Sequence, residues 1–295
     1  YLTGKVKVGE KTYKIALVDA TYDGQIEPAD INKLIGQRGR GESDLLAIDM
    51  NGDGKFSYMA DGVMEVRPFT KMICLDEKYY DMKVAKDDSS LTLVKAEPKT
   101  GTLTIKGSKA DLTVLGDCGV LNLPSSKGSW QLPEGRYTCQ EIKLQAGENK
   151  DDKWVLETSG KTGKLQEFRI KAGETQAFEI GAPLTIKTDI QKQNSGGIFK
   201  GKEVSFGFTI VGAAGEEYSP AANHNGSQVP APKIKIYDEK GEVLASGDFQ
   251  YGGGGTCRYS WRVPKKFAGK FRTEIKPNVG PFEVKQDGEN WNTID

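Results

Sequence analysis

Leu45-Leu-Ala-Ile-Asp-Met-Asn-Gly-Asp-Gly-Lys-Phe56 sets a short apolar run directly against a loop with oxygen-bearing side chains at alternate positions. Counted from Asp49, the first, third and fifth positions are Asp49, Asn51 and Asp53. Gly54 supplies a sharp turn, and Lys55 offers its backbone carbonyl at the seventh. Alternating oxygens on a glycine-turned loop suit a calcium ion, which takes six to eight hard ligands at roughly 2.3–2.6 Å. Thirty residues earlier, Ile15-Ala-Leu-Val-Asp-Ala-Thr-Tyr-Asp-Gly-Gln-Ile26 repeats the order of apolar, acidic and glycine positions. In that copy Asp19, Thr21, Asp23 and the carbonyl of Gln25 hold the four places. Clustered carboxylates repel one another unless a cation neutralises them, so calcium in a structural role is the expected cofactor. The metal-free alternative is a pair of tight hairpins, because Asn-Gly and Asp-Gly between apolar runs also signal two-residue turns.

The flanks decide the fold. Tyr13-Lys-Ile-Ala-Leu-Val18 alternates and carries β-branched residues, and Leu45-Leu-Ala-Ile48 is short and apolar, so both read as strands. The loops resemble the calcium loops of EF-hands, dockerins and thrombospondin type 3 repeats over about a dozen residues each. The likeness stops at the flanks, since an EF-hand is entered and left by helices. It implies a bidentate acid at the twelfth position. That acid is Asp30 in the first copy, whereas the second has Ala60, with Asp61 one residue late. Each copy is short of a donor, and Asp44, Glu42 and Glu27 are candidates to reach in from outside.

Length and composition bound the rest. A chain of 295 residues exceeds one ordinary core. Lys plus Arg and Asp plus Glu both number 41, and the basic residues are scattered, which argues against a nucleic-acid partner. Glycine is abundant at 36 residues, and Ile31 to Ile35 is the only helical candidate. The composition therefore points to an all-β chain with many turns. No apolar run approaches the roughly 20 residues of a transmembrane helix. The chain begins at Tyr1, and an N-terminal segment removed on export is expected. The expected setting is secreted, periplasmic or cell-surface, where millimolar calcium suits incomplete ligand sets.

Three β domains are expected. Residues 1–107 hold both loops and a meander through Met72–Leu75, Tyr79–Val84, Leu91–Val94 and Leu103–Ile105, with a charged turn at Lys86-Asp-Asp-Ser-Ser90. Residues 108–185 form a small sandwich, in which Leu132-Pro-Glu-Gly-Arg-Tyr137 resembles a turn of transthyretin-like and carboxypeptidase-regulatory-like domains. Residues 186–295 give about seven strands with the turn spacing of a sandwich, resembling an immunoglobulin or fibronectin type III module in pattern. Such a likeness predicts architecture and leaves function open.

Other motifs carry less chemistry. Cys257 and Cys74 are phased with apolar positions and read as core residues, while Cys118 and Cys139 lie close enough in sequence to form a disulfide. The long connection 212–232 holds His224 and the pair Glu216 and Glu217, yet adjacent glutamates on an extended chain point opposite ways. Tyr251-Gly-Gly-Gly-Gly-Thr256 has strands on both sides, unlike a phosphate loop that opens a helix. Of Trp130, Trp154, Trp261 and Trp291, most are expected in cores. The reading that results is a non-catalytic structural or binding protein with calcium-stabilised loops, its partner a protein or a polysaccharide. The alternative is a carbohydrate-binding module or a glycosidase using two carboxylates.

Overall fold

The computed structural model describes residues 1–36, 43–58, 64–85, 90–147, 149, 151–195, 201–286, 288 and 291–294. The fold is all-β, with several sheets and one short α-helix among the described residues. The strands up to the first loops are β1 (Leu2–Val8), β2 (Lys11–Val18), β3 (Leu45–Ile48) and β4 (Val66–Pro68), with α1 (Ile31–Gly36) between β2 and β3. Next come β5 (Met72–Leu75), β6 (Lys78–Val84), β7 (Leu91–Ala96), β8 (Thr100–Gly107), β9 (Ala110–Gly116), β10 (Gly119–Leu123), β11 (Ser129–Pro133) and β12 (Gly135–Ala146). Then follow β13 (Trp154–Thr162), β14 (Phe168–Ile170), β15 (Thr175–Ile180), β16 (Leu184–Ser195), β17 (Gly201–Val211), β18 (Glu216–Tyr218), β19 (Asn223–His224) and β20 (Ser227–Gln228). The last are β21 (Lys233–Asp238), β22 (Val243–Asp248), β23 (Gln250–Tyr251), β24 (Cys257–Arg262), β25 (Lys270–Lys276), β26 (Val284–Gln286) and β27 (Asn292–Thr293). No described helix is long and apolar enough to cross a membrane.

The chain forms two compact units, neither continuous in sequence. The first takes residues 1–105, 111–141 and 164–178; the second takes 106–110, 142–163 and 179–295. The segment expected as a separate middle domain, 108–185, is thus shared between them.

In the first unit, β1-β2-β3-β4 form one antiparallel sheet and β5-β6-β7 another. Alternation in β2 turns Tyr13, Ile15 and Leu17 inward, where they join Val6, Val8, Leu46, Ile48, Phe69, Ile73, Leu75 and Met82 in one core. Ile26 and Met50, one from each loop, pack against it and anchor the loops. The β5–β6 turn has Asp76 and Glu77 in the left-handed region, at φ 48° and 60°, as a two-residue type I′ hairpin requires. Asp76 then accepts the Lys11 ammonium at 2.7 Å and the Tyr13 hydroxyl at 3.1 Å, tying the second sheet to the first. Helix α1 lays Ile31, Leu34 and Ile35 against Leu115 and Val120 of the β9–β10 hairpin.

In the second unit, β17 pairs with β16, β18 and β24, while β21 is central to β22-β21-β25-β27. The two groups share an aromatic core: Phe206 meets Phe271 edge-on at 5.9 Å between centroids, and Trp261 meets Phe271 at 5.4 Å. Offset and edge-on rings gain energy beyond the area they bury, which makes this cluster the centre of a sandwich-like arrangement.

Candidate metal-binding loops

Both loops begin where a strand ends. β2 stops at Val18, just before Asp19, and β3 stops at Ile48, just before Asp49. The first-position aspartate then folds over the backbone that follows. Asp49 accepts the N–H of Gly52 on Oδ1 at 2.7 Å and that of Gly54 on Oδ2 at 2.8 Å. Asp19 accepts Tyr22 N–H on Oδ1 at 2.7 Å and Gly24 N–H on Oδ2 at 3.0 Å. The fifth positions repeat as well: Asp53 Oδ1 accepts Lys55 N–H at 2.8 Å, and Asp23 Oδ1 accepts Gln25 N–H at 2.9 Å. At the third position Asn51 Oδ1 accepts Asp53 N–H at 3.1 Å, while the Thr21 hydroxyl donates to Asp19 Oδ1 at 3.3 Å. Left-handed backbone falls at the fourth and sixth positions of both copies, with φ 60° at Tyr22, 81° at Gly24, 78° at Gly52 and 81° at Gly54. Glycine adopts that region freely; Tyr22 does so against its sterics, held there by the bond to Asp19.

A carboxylate from outside closes each loop. Asp44 is buried and accepts Ala20 N–H at 3.1 Å and the Thr21 hydroxyl at 3.2 Å on Oδ1, and Glu27 N–H at 2.8 Å on Oδ2. Glu65, also buried, accepts Met50 N–H on Oε1 and Ser57 N–H on Oε2, both at 2.9 Å. These are the second and ninth positions in either copy. Strand pairing explains the delivery: Val18 pairs with Leu45 and Ala47 with Val66, so the residue before each incoming strand arrives beside the loop that the neighbouring strand has just entered.

Asp44 thus stands where an outside donor was expected. Asp30 does not reach the first loop, because its carboxylate caps α1, accepting Asn32 N–H at 3.0 Å. Asp61, Glu42 and the 86–89 part of the expected charged turn lie outside the described residues. Glu65 is the functional candidate that sequence reasoning misses. Its signal is an acid directly before an apolar strand, Glu65-Val66, matching Asp44-Leu45. β3 pairs with β4, and the loop residues 49–58 belong to neither strand.

The electrostatics favour an anionic pocket with a partial guard. Burial pushes the Asp19 carboxyl up, but the N–H groups of Gly24 and Tyr22 outweigh it, so its pKa falls below the ordinary 3.8. A depressed carboxylate stabilises the fold above its unfolded pKa and loses that contribution as pH falls through the folded value. In a carbon-13 NMR titration, Asp19 is expected to stay ionised below pH 3.8 and to protonate as the loop opens; titration at or above 3.8 contradicts the bonding described. Lys14 brings one positive charge to the second loop, donating to the Gly54 carbonyl at 2.7 Å. Arg67 lies behind it, buried, with Nε and Nη2 lacking any hydrogen-bond partner. Burial pulls its pKa down to about 10, opposed by nearby Glu65.

Among the described residues no three His, Cys, Asp or Glu side chains stand close enough together to hold an ion. A cation here must therefore draw on amide, hydroxyl and carbonyl oxygens beside the carboxylates. Asn51, Thr21 and the carbonyls of Lys55 and Gln25 have that chemistry, and each carboxylate oxygen bonded to one N–H keeps a second acceptor site.

The remaining candidates find structural roles. Glu216 and Glu217 point to opposite sides of β18: Glu216 is buried, while Glu217 meets Lys161 at 3.0 Å and Lys187 at 3.4 Å. His224 stacks on Trp154 at 4.3 Å and bonds Asp152 through Nε2 at 2.9 Å. Cys118 and Cys139 are not joined. Cys118 lies 3.5 Å from the Tyr137 hydroxyl, and Cys139 donates to the Glu141 carbonyl at 3.3 Å. Burial pushes the thiol of Cys74 up to about 11 and those of Cys118 and Cys257 to about 12, which leaves no nucleophilic thiolate among them at neutral pH. The glycine run of 252–255 forms a tip between β23 and β24, both strands as expected.

No family model matches the chain, and no curated protein matches it. Among solved structures it is similar to a chain described as the Bacillus anthracis TIE protein, at 11% identity over 95% of this chain and 74% of that one. The TM-score is 0.17, too low to indicate a shared fold.

Proposed function

We propose that this chain is a non-catalytic structural or binding protein of the exported or cell-surface kind, whose two N-terminal loops each bind a calcium ion that braces the first unit. The supporting observation is the matched hydrogen-bond register of the two loops, including the buried carboxylate that enters each from the next strand. Asp49, Asn51, Asp53, the Lys55 carbonyl and Glu65 would hold the second ion, and Asp19, Thr21, Asp23, the Gln25 carbonyl and Asp44 the first, once binding draws together the three carboxylates of each loop, which do not converge in this structure. A divalent cation supplies charge neutralisation for these carboxylates, which the backbone N–H groups hold at the loops. On this reading the second unit ends in an immunoglobulin- or fibronectin type III-like sandwich that presents a binding surface.

Thermal melts in calcium and in chelator test the reading. A site with a dissociation constant near 10 μM, in about 1 mM calcium, should add roughly 2.7 kcal/mol to folding stability. The expected result is a higher midpoint with calcium in the wild type, and a reduced gain in Asp49→Asn with Asp53→Asn. An unchanged wild-type midpoint on chelation sinks the proposal.

A further inference from the structure

The two loops match in register but differ in a residue that follows their outside acid. Asp44-Leu45-Leu46 leads into β3 beside the first loop, and Glu65-Val66-Arg67 leads into β4 beside the second. Leu46 and Arg67 thus hold the same place, two residues after the acid, where a strand returns to the acid's own face. They also stand directly opposite each other across the β3–β4 pair. Leu46 packs in the core cluster that includes Leu17 and Leu75. Arg67 is 4% exposed, and its Nε and Nη2 have no hydrogen-bond partner. A buried charged donor left without a bond is costly, and such an exception in a native fold calls for a physical reason.

The charge that opposes this burial is Glu65, whose two oxygens accept Met50 N–H and Ser57 N–H of the second loop. The guanidinium therefore acts on Glu65 as a counter-charge through space. Lys14 adds a second positive charge, its Nζ donating to the Gly54 carbonyl at 2.7 Å and lying 5.2 Å from the Phe56 ring centroid. In the first loop the partners of Asp44 are neutral: Ala20 N–H, Glu27 N–H and the Thr21 hydroxyl. Asp19, Asp23 and Asp44 in the first loop match Asp49, Asp53 and Glu65 in the second, and in the second Arg67 and Lys14 stand against them.

We propose that the two loops form a graded pair, in which the first takes a divalent cation at low concentration and the second only at a higher one, because Arg67 already serves Glu65 as a resident counter-ion. The grading rests on the proposal that both loops bind calcium, and it sets the order in which they fill. To bind an ion, the second loop draws Glu65 towards Asp49 and Asp53. That step brings a divalent charge up to a buried guanidinium and takes away the carboxylate that offset it. The first loop draws in Asp44 and strands no charge, since Leu46 is apolar. Coulomb repulsion in a poorly screened interior reaches well beyond contact, so Arg67 acts without touching the ion. Lys14 is exposed, and salt screens its share. Between the two concentrations the protein holds one ion, in its first loop.

Nitrogen-15 NMR of the whole chain during a calcium titration tests the order, because each loop has its own reporter. Gly24 N–H is bonded to Asp19, and Gly54 N–H to Asp49. The Gly24 signal is expected to move at a calcium concentration at least about tenfold below the one that moves Gly54. Arg67→Met, an apolar side chain of similar length facing Leu46, is expected to lower the Gly54 midpoint by about tenfold or more and to leave that of Gly24 in place. Arg67→Leu, which installs the first loop's own residue, is the second variant should Arg67→Met misfold, and Arg67→Lys keeps both the charge and the gap. Simultaneous movement of the two signals, Gly54 moving first, or a gap that survives Arg67→Met overturns the grading alone. A Gly54 signal silent up to about 10 mM calcium, beyond the range of weak extracellular sites, supports it if Arg67→Met makes that signal move and overturns it otherwise. If both signals stay silent to that limit, the calcium sites and the grading fall together.

Discussion

Replacing Glu65 with alanine is expected to lower the stability of the calcium-free protein by about 3–5 kcal/mol in urea unfolding, near the upper limit for a single substitution. The size follows from what the carboxylate leaves behind. Met50 N–H and Ser57 N–H each lose an acceptor at 2.9 Å. An N–H stranded in a dry site costs about 1–3 kcal/mol. Arg67, buried and already short of partners at Nε and Nη2, loses the nearby negative charge that offsets its desolvation. The double variant with Arg67→Met separates these contributions. If the stranded charge dominates, Arg67→Met should recover a large part of the loss, and the two substitutions should be strongly non-additive. Simple addition of the two effects would show that the N–H groups alone account for the cost.

Glu216→Ala should be comparably damaging to the second unit, by about 3–5 kcal/mol. Glu216 is fully buried and accepts three bonds: Gly181 N–H at 2.7 Å and the Tyr218 hydroxyl at 3.0 Å on Oε1, and Ala214 N–H at 2.8 Å on Oε2. Hydrogen bonds to a charged acceptor are each stronger than neutral ones, and the site has no room for compensating bulk. A Cβ at Gly212 would lie 2.1 Å from Glu216 Oε1. Glu216→Gln should cost less than alanine, because the amide oxygen can keep the two Oε1 bonds, but its NH₂ then faces the Ala214 N–H. Denaturant midpoints of the three proteins give the order wild type, glutamine, alanine; a glutamine variant as stable as wild type would show that the charge is not needed there. Glu217→Ala, one residue on and partly exposed among lysines, should change stability by less than about 1 kcal/mol.

Much of the β architecture is legible in sequence because alternation is a local signal. Lys233–Asp238 and Cys257–Arg262 fall where their apolar periods put them, and Ile31–Gly36 is the helix expected. The opposed directions of Glu216 and Glu217 follow from the same period of two. Other features depend on who meets whom. The Leu2–Val8 strand has five exposed residues, so its pattern is weak until β2 pairs with it. Glu65 joins the second loop only through the pairing of β3 with β4, which no local window contains. The two units interleave three segments each, an arrangement set by long-range packing that composition shifts along the chain do not mark.

β3 itself has a further consequence. Its four residues, Leu45-Leu-Ala-Ile48, lack alternation, and three of them are buried. Such a segment could slide by one residue against β2 and still set apolar against apolar, the situation in which register is weakly specified. Asp44 and Asp49 bracket the strand and are bound to different loops. A slip by one residue would pull both acids off their backbone partners at once. The frame of the strand is thus set by the two anions at its ends, and a single-residue insertion within it should disable both loops together.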